Sequence, residues 1–191
     1  ITQMLVINSN FGTDQERIQQ ALDFAEKTIN ANPEAPHGWA IRAMALDWAG
    51  DVGRALASAL QAKWLDESFA PTYAFLGEIY HDLGYDDVAL SYLDEALKLD
   101  TSGIATAYIF RTRGLIYSNR GEWNEAIEPY QTAMEYAPTQ SYIVVELANN
   151  YAVLDETDTA IQLLTDALER NPSDTAVLFK LATTYQSNGN V

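Results

Sequence analysis

Few residues in the chain have the type and spacing to do chemistry. Glu78 and His81 form a Glu-x-x-His pair, whose three-residue spacing turns both side chains to one side of a helix, an arrangement able to ligate iron. A di-iron bundle needs two such helical pairs and further carboxylates, and the other Glu-x-x-His spacing, Glu34 to His37, runs through Pro36 at a helix start, so no metal site is expected. His37, the other histidine, stands between Pro36 and Gly38 at a helix start, where a surface or capping role is expected. Asp82, Asp86 and Asp87 crowd one turn and Asp155, Glu156 and Asp158 another. Neither group has the alternating oxygen ligands and distant Glu of a calcium loop, so both read as solvated turns. With no cysteine there is no thiolate nucleophile, thiolate metal site or disulfide. Phosphate-binding glycine loops, a strained serine elbow and zinc-protease signatures are absent as well. No catalytic residue, metal or cofactor is assigned, and the expectation is a protein that is not an enzyme.

Composition narrows the class of partner. A chain of 191 residues that is 48% hydrophobic and 20% charged is long and apolar enough to fold. Its 27 acidic residues outnumber 11 basic ones for a net charge of -16, which repels phosphate backbones and anionic headgroups and argues against a nucleic-acid partner. No apolar run approaches the roughly 18 residues needed to span a bilayer, so no membrane insertion is expected in this segment. There is no signal-peptide pattern. The last residues read as half of a repeat, so a segment of a longer protein is expected.

The elements that position these residues follow from a ladder of small and aromatic residues. Ala21, Ala55, Ala89, Ala126 and Ala160 recur at spacings of 34, 34, 37 and 34 residues. Leu46, Tyr80, Tyr117, Tyr151 and Tyr185 recur at 34, 37, 34 and 34, each three residues after Ala43, Gly77, Gly114, Ala148 or Ala182. Small residues at matched heights let paired helices approach closely, and the tyrosines fill the remaining space. Gly50, Gly84, Gly121 and Gly189 follow the aromatic or leucine rung by four residues, where a left-handed turn ends one helix. Asp155 holds that place in the fifth unit, where a differently shaped turn is expected. Pro33, Pro138 and Pro172 close three units, while Glu67 and Thr101 replace them in the others. The three extra residues of the 37-residue step fall between Asp100 and Ala107, which predicts an extra turn of helix.

These residues resemble the tetratricopeptide repeat, an aromatic, then Leu and Gly, then Tyr, Ala, a large apolar residue and Pro. The third unit carries Tyr73, Leu76, Gly77, Tyr80, Ala89 and Leu93, and the fourth Phe110, Gly114, Tyr117, Ala126, Tyr130 and Pro138. Arg42 and Arg113 depart from the pattern, standing where Leu is usual. The resemblance implies an all-α, right-handed solenoid of antiparallel helix pairs. Residues 1–13 are expected to form an irregular lead-in. A half repeat follows at 14–35, then full repeats at 36–69, 70–106, 107–140 and 141–174 and a half repeat at 175–191, read as one solenoid.

The family also implies that the first helix of each pair lines a concave groove. By position, that groove holds Met44, Trp48, Phe75, Glu78, His81, Tyr108, Arg111, Leu115, Asn119, Tyr142, Asn149 and Phe179, and a protein or peptide segment is the expected guest. Small residues beside these aromatics suit shallow pockets for apolar side chains. Some family members hold a chaperone's C-terminal carboxylate in a basic clamp. Ala40, Met44, Ala74 and Glu78 stand at clamp positions here, which argues against that guest. An RNA-binding repeat of the pentatricopeptide kind favours a period of 35 and a basic groove, both at odds with this chain. The alternative function is a structural module that positions a neighbouring domain or self-associates through the open helix bearing Leu178, Leu181 and Tyr185.

Overall fold

The computed structural model describes residues 14–99, 103–187 and 189, so the lead-in at 1–13 and Thr101 lie outside the described residues. Ten α-helices are found among the described residues: α1 (Asp14–Ala31), α2 (Pro36–Trp48), α3 (Val52–Leu65), α4 (Ala70–Asp82), α5 (Asp86–Leu99), α6 (Gly103–Asn119), α7 (Trp123–Tyr136), α8 (Ser141–Val153), α9 (Thr157–Arg170) and α10 (Thr175–Ser187). The chain divides into two compact units, Ile1–Ala105 and Thr106–Val191.

The first helices α2, α4, α6 and α8 end in the same way. In α2 the Gly50 N–H donates to the Asp47 carbonyl at 2.8 Å and the Asp51 N–H to the Leu46 carbonyl at 2.9 Å. Gly50 itself is left-handed at φ 75°. The two bonds satisfy carbonyls that the last helical turn would otherwise leave unpaired. Equivalent six-residue closures join Tyr85 to Tyr80 and Glu122 to Tyr117. Asp155 is the correction to expectation: at φ 62° it enters the same left-handed region, and Glu156 N–H reaches the Tyr151 carbonyl at 2.9 Å. The closure of the turn imposes the conformation, and an Asp is among the side chains that tolerate it.

Second helices also share an ending. Asp66, Ala137 and Asn171 leave the helical region with φ between -153° and -138°. Phe69, Gln140 and Asp174 then donate back to the Asp66, Ala137 and Asn171 carbonyls. The turn with Glu67 in place of proline makes the same bonds as those with Pro138 and Pro172, so proline is dispensable there. The aromatic opening the next repeat fastens this turn: Trp39 Nε1 donates to the Pro33 carbonyl at 3.0 Å, and the Tyr73 hydroxyl to the Glu67 carbonyl at 2.8 Å.

In the first unit α2 packs on α3, α4 on α5, and α2 also touches α4. Their core joins Ala43, Leu46, Ala55, Ala59, Leu76 and Ile79, with Tyr80 and Tyr92 against it. In the second unit α8 contacts α7, α9 and α10 around Tyr130, Ile143, Leu147, Leu164 and Val177. The 37-residue step appears as a longer helix, α6 having 17 residues where α2, α4, α8 and α10 have 13. It starts at Gly103, ahead of the repeat boundary read at 107.

Arg42 and Arg113 replace leucine by lying over the aromatic three residues earlier, Arg42 at 5.7 Å from the Trp39 ring and Arg113 at 5.8 Å from Phe110. The guanidinium face thus does the packing that an aliphatic chain does in the other repeats.

Candidate functional site

The side chains assigned to the first-helix face divide into those that offer surface and those that do not. In the first unit Trp48 closes α2 at 46% exposure, whereas Met44, one turn earlier, is 2% exposed and offers a partner almost no area. Phe75 and Glu78 on α4 are half-buried. His81 directs Nδ1 at Asp86 Oδ1 across 2.6 Å, so the histidine of the Glu-x-x-His pair meets a carboxylate of the turn that follows it. No group of three or more metal-binding side chains is found among the described residues. His37 is exposed, its ring 4.5 Å from that of Phe69.

Asp47, near the end of α2, is 7% exposed and its Oδ1 has no hydrogen-bond partner. Burial, and then the nearby Asp82 carboxylate, push its carboxyl up to about 7. Both effects disfavour the charged form.

In the second unit Arg111, Tyr142 and Glu146 form one assembly. Arg111 Nε donates to both Glu146 oxygens at 3.1 and 3.0 Å, and its Nη2 donates to Oε1 at 2.6 Å. The same guanidinium lies 5.1 Å from the centre of the Tyr142 ring, which is 42% exposed. Tyr142, Glu146 and Asn149 are spaced by four and three residues on α8 and therefore share a helix face. Asn149 is exposed on it, and Asn119 is exposed at the end of α6.

Beneath this layer the Ser118 hydroxyl donates to Asn150 Oδ1 at 3.0 Å, and Asn150 Nδ2 donates to the Trp123 carbonyl. Asn150 is buried and fully engaged, while its neighbour Asn149, chosen from the sequence, faces outward. Leu115 packs against the core and Tyr108 is buried. Phe179 on α10 is the most exposed of the chosen aromatics, at 73%. Beside it burial pulls the Lys180 ammonium down.

The family model described as tetratricopeptide repeat matches residues 70–102. Solved structures extend the likeness over most of the chain. A thermophilic TPR protein from Thermus thermophilus superposes with a TM-score of 0.79 over 90% of this chain and 92% of its own, at 24% identity. The chain has the tetratricopeptide-repeat fold.

YrrB, a TPR protein with an unusual peptide-binding site, gives a TM-score of 0.58 at 21% identity, covering 87% of this chain and 84% of its own. A human IFIT1 dimer with m7Gppp-AAAA gives 0.73 at 20% identity over 94% of this chain and 44% of its own, so this chain spans less than half of that protein. No curated protein matches the sequence significantly. At these identities the likeness is one of fold: all-α, of the tetratricopeptide solenoid class. Tetratricopeptide repeats are in general protein-interaction scaffolds, and no helix here is long and apolar enough to cross a membrane among the described residues.

Proposed function

We propose that the first-helix face of these tetratricopeptide repeats binds a peptide or protein segment. The observation that carries the reading is the Arg111–Tyr142–Glu146 assembly. Chelation by Glu146 fixes the guanidinium, which fixes the ring beside it, and the ring remains exposed on the same face of α8 as Asn149. An aromatic held in place before binding loses little side-chain entropy when a partner covers it, which favours recognition. Because Arg111 is already matched by a carboxylate, the assembly is formally neutral and suits an apolar or polar segment better than a free carboxylate. Phe179 on α10 and, in the first unit, Trp48 add exposed aromatic area of the kind that anchors interfaces. YrrB supports the reading as a protein of the same fold with a peptide-binding site.

The test is selection of random peptides displayed on phage against the protein, followed by affinity measurement on Trp48→Ala, Arg111→Ala and Tyr142→Ala. The expected result is a loss of about tenfold or more for at least Tyr142→Ala, equivalent to about 1.4 kcal/mol. Unchanged affinity in all three variants removes this face as the site.

A second reading is a self-association module. It rests on Leu178, Phe179 and Tyr185, all exposed on α10. Sedimentation across a concentration series separates the two, since a protein that stays monomeric excludes self-association.

A further inference from the structure

The second unit carries a groove between its second helices α7 and α9. It is an open hollow of about 710 Å³ lined by half-buried Met134 of α7 and Leu163 of α9, with the buried Leu147 and Tyr151 of α8 at its base. Its rim is Glu135 on α7 with Asp158 and Asp166 on α9, and no lysine or arginine lines it among the described residues. The acidic surface continues past Asp158 into a second, smaller hollow at Asp155 and Glu156.

Two hydrogen bonds lie among the lining residues: Gln131 Nε2 donates to the Tyr151 hydroxyl at 3.1 Å, and Gln162 Nε2 donates to Asp166 Oδ1 at 2.6 Å. An apolar floor between carboxylate rims with no compensating cation is an unmatched charge pattern, and a cationic partner would match it.

Size indicates the partner's form. The wall from Asp158 to Asp166 spans eight residues of helix, about 12 Å at 1.5 Å per residue, the length of about two helical turns.

We propose that this groove is a docking site, separate from the first-helix face, for a cationic amphipathic helix of a protein partner. The helix lays apolar side chains against Met134 and Leu163 and sets Lys or Arg against Glu135, Asp158 and Asp166.

The test uses a fluorescein-labelled amphipathic Leu/Lys helical peptide, the same composition scrambled to abolish amphipathicity, and a Leu/Glu analogue, all by anisotropy. The chain is acidic throughout, so the decisive comparison holds net charge constant. One variant carries Glu135→Gln, Asp158→Asn and Asp166→Asn, and a control carries Glu26→Gln, Glu34→Gln and Glu67→Gln in the first unit, all exposed. The Leu/Lys helix is expected to bind the wild type at least about tenfold more tightly than the scrambled peptide, with the Leu/Glu analogue weakest. The groove variant should lose at least about tenfold while the control and Tyr142→Ala keep wild-type affinity. Equal losses in groove variant and control, equal binding of the scrambled peptide, or no binding of the Leu/Lys helix overturns the proposal. Loss with Tyr142→Ala alone overturns it too, and assigns the peptide to the first-helix face.

Discussion

Arg111 and Glu146 lie 35 residues apart, on the first helices of successive repeats, and share three hydrogen bonds of 2.6 to 3.1 Å. Both side chains are four-fifths buried, so the pair is shielded from the screening that weakens surface ion pairs. Removing either partner leaves the other charged and largely out of water. Glu146→Gln is expected to lower stability by about 1–2 kcal/mol in urea unfolding. Arg111→Lys is expected to rescue little, because an ammonium cannot make the two-pronged contact. A Lys variant equal to wild type would show that charge alone matters.

Gly77 and Gly114 are required by close approach. A Cβ on Gly77 would lie 2.5 Å from Leu93 Cδ2, and one on Gly114 would lie 2.8 Å from three atoms of the Tyr130 ring. Leu93 and Tyr130 are themselves fully buried and have no room to swing away. Overpacking of about 1–3 kcal/mol should outweigh the helix-propensity gain of about 1 kcal/mol, so Gly77→Ala and Gly114→Ala destabilise. In a Leu93→Ala background Gly77→Ala should cost nothing or stabilise. An undiminished cost there would place its origin elsewhere.

The same two contacts show how much of the fold was legible beforehand. Small residues stand where the facing side chain is large, and that complementarity is written in the sequence at intervals of 34 or 37 residues. The shared turn at Asp155 was misjudged because residue preference was weighed without the two carbonyl bonds that close the turn. Among site residues, the exposure of Trp48, Tyr142 and Phe179 fits a surface role, but the burial of Met44 and Tyr108 depends on neighbours that register alone does not reveal. The α7–α9 groove is not legible from the first-helix register because most of its residues lie on second helices, though Asp158, Gln162 and Asp166 at four-residue steps mark one polar face.

Asp155→Gly should stabilise the protein by about 0.5–1 kcal/mol, since it relieves a side chain held at positive φ. Gly84→Ala, at φ 80° with open space around it, should destabilise through backbone strain alone. Thermal midpoints check both, and a drop for Asp155→Gly would mean that its carboxylate contributes more than the strain costs.

Asp47 sets a pH dependence. Its carboxyl titrates near 7 in the folded chain against an ordinary 3.8, so the folded state binds the proton more tightly. Stability from this group is therefore fully present below about pH 4 and lost as pH rises through 7. Asp47→Asn mimics the protonated form and should match wild type near pH 4 while exceeding it at pH 8. Urea midpoints of the two proteins across that range test this, and a difference independent of pH would contradict it.

The central claim is that partners bind the first-helix face, and the most direct test is amide chemical-shift mapping of the 15N-labelled chain with a phage-selected peptide. The account predicts perturbations centred on Tyr142, Asn149 and Phe179, with Gln131 and Gln162 on the second helices unmoved. Perturbations centred on Gln131 and Gln162, with Tyr142 and Asn149 silent, would contradict it.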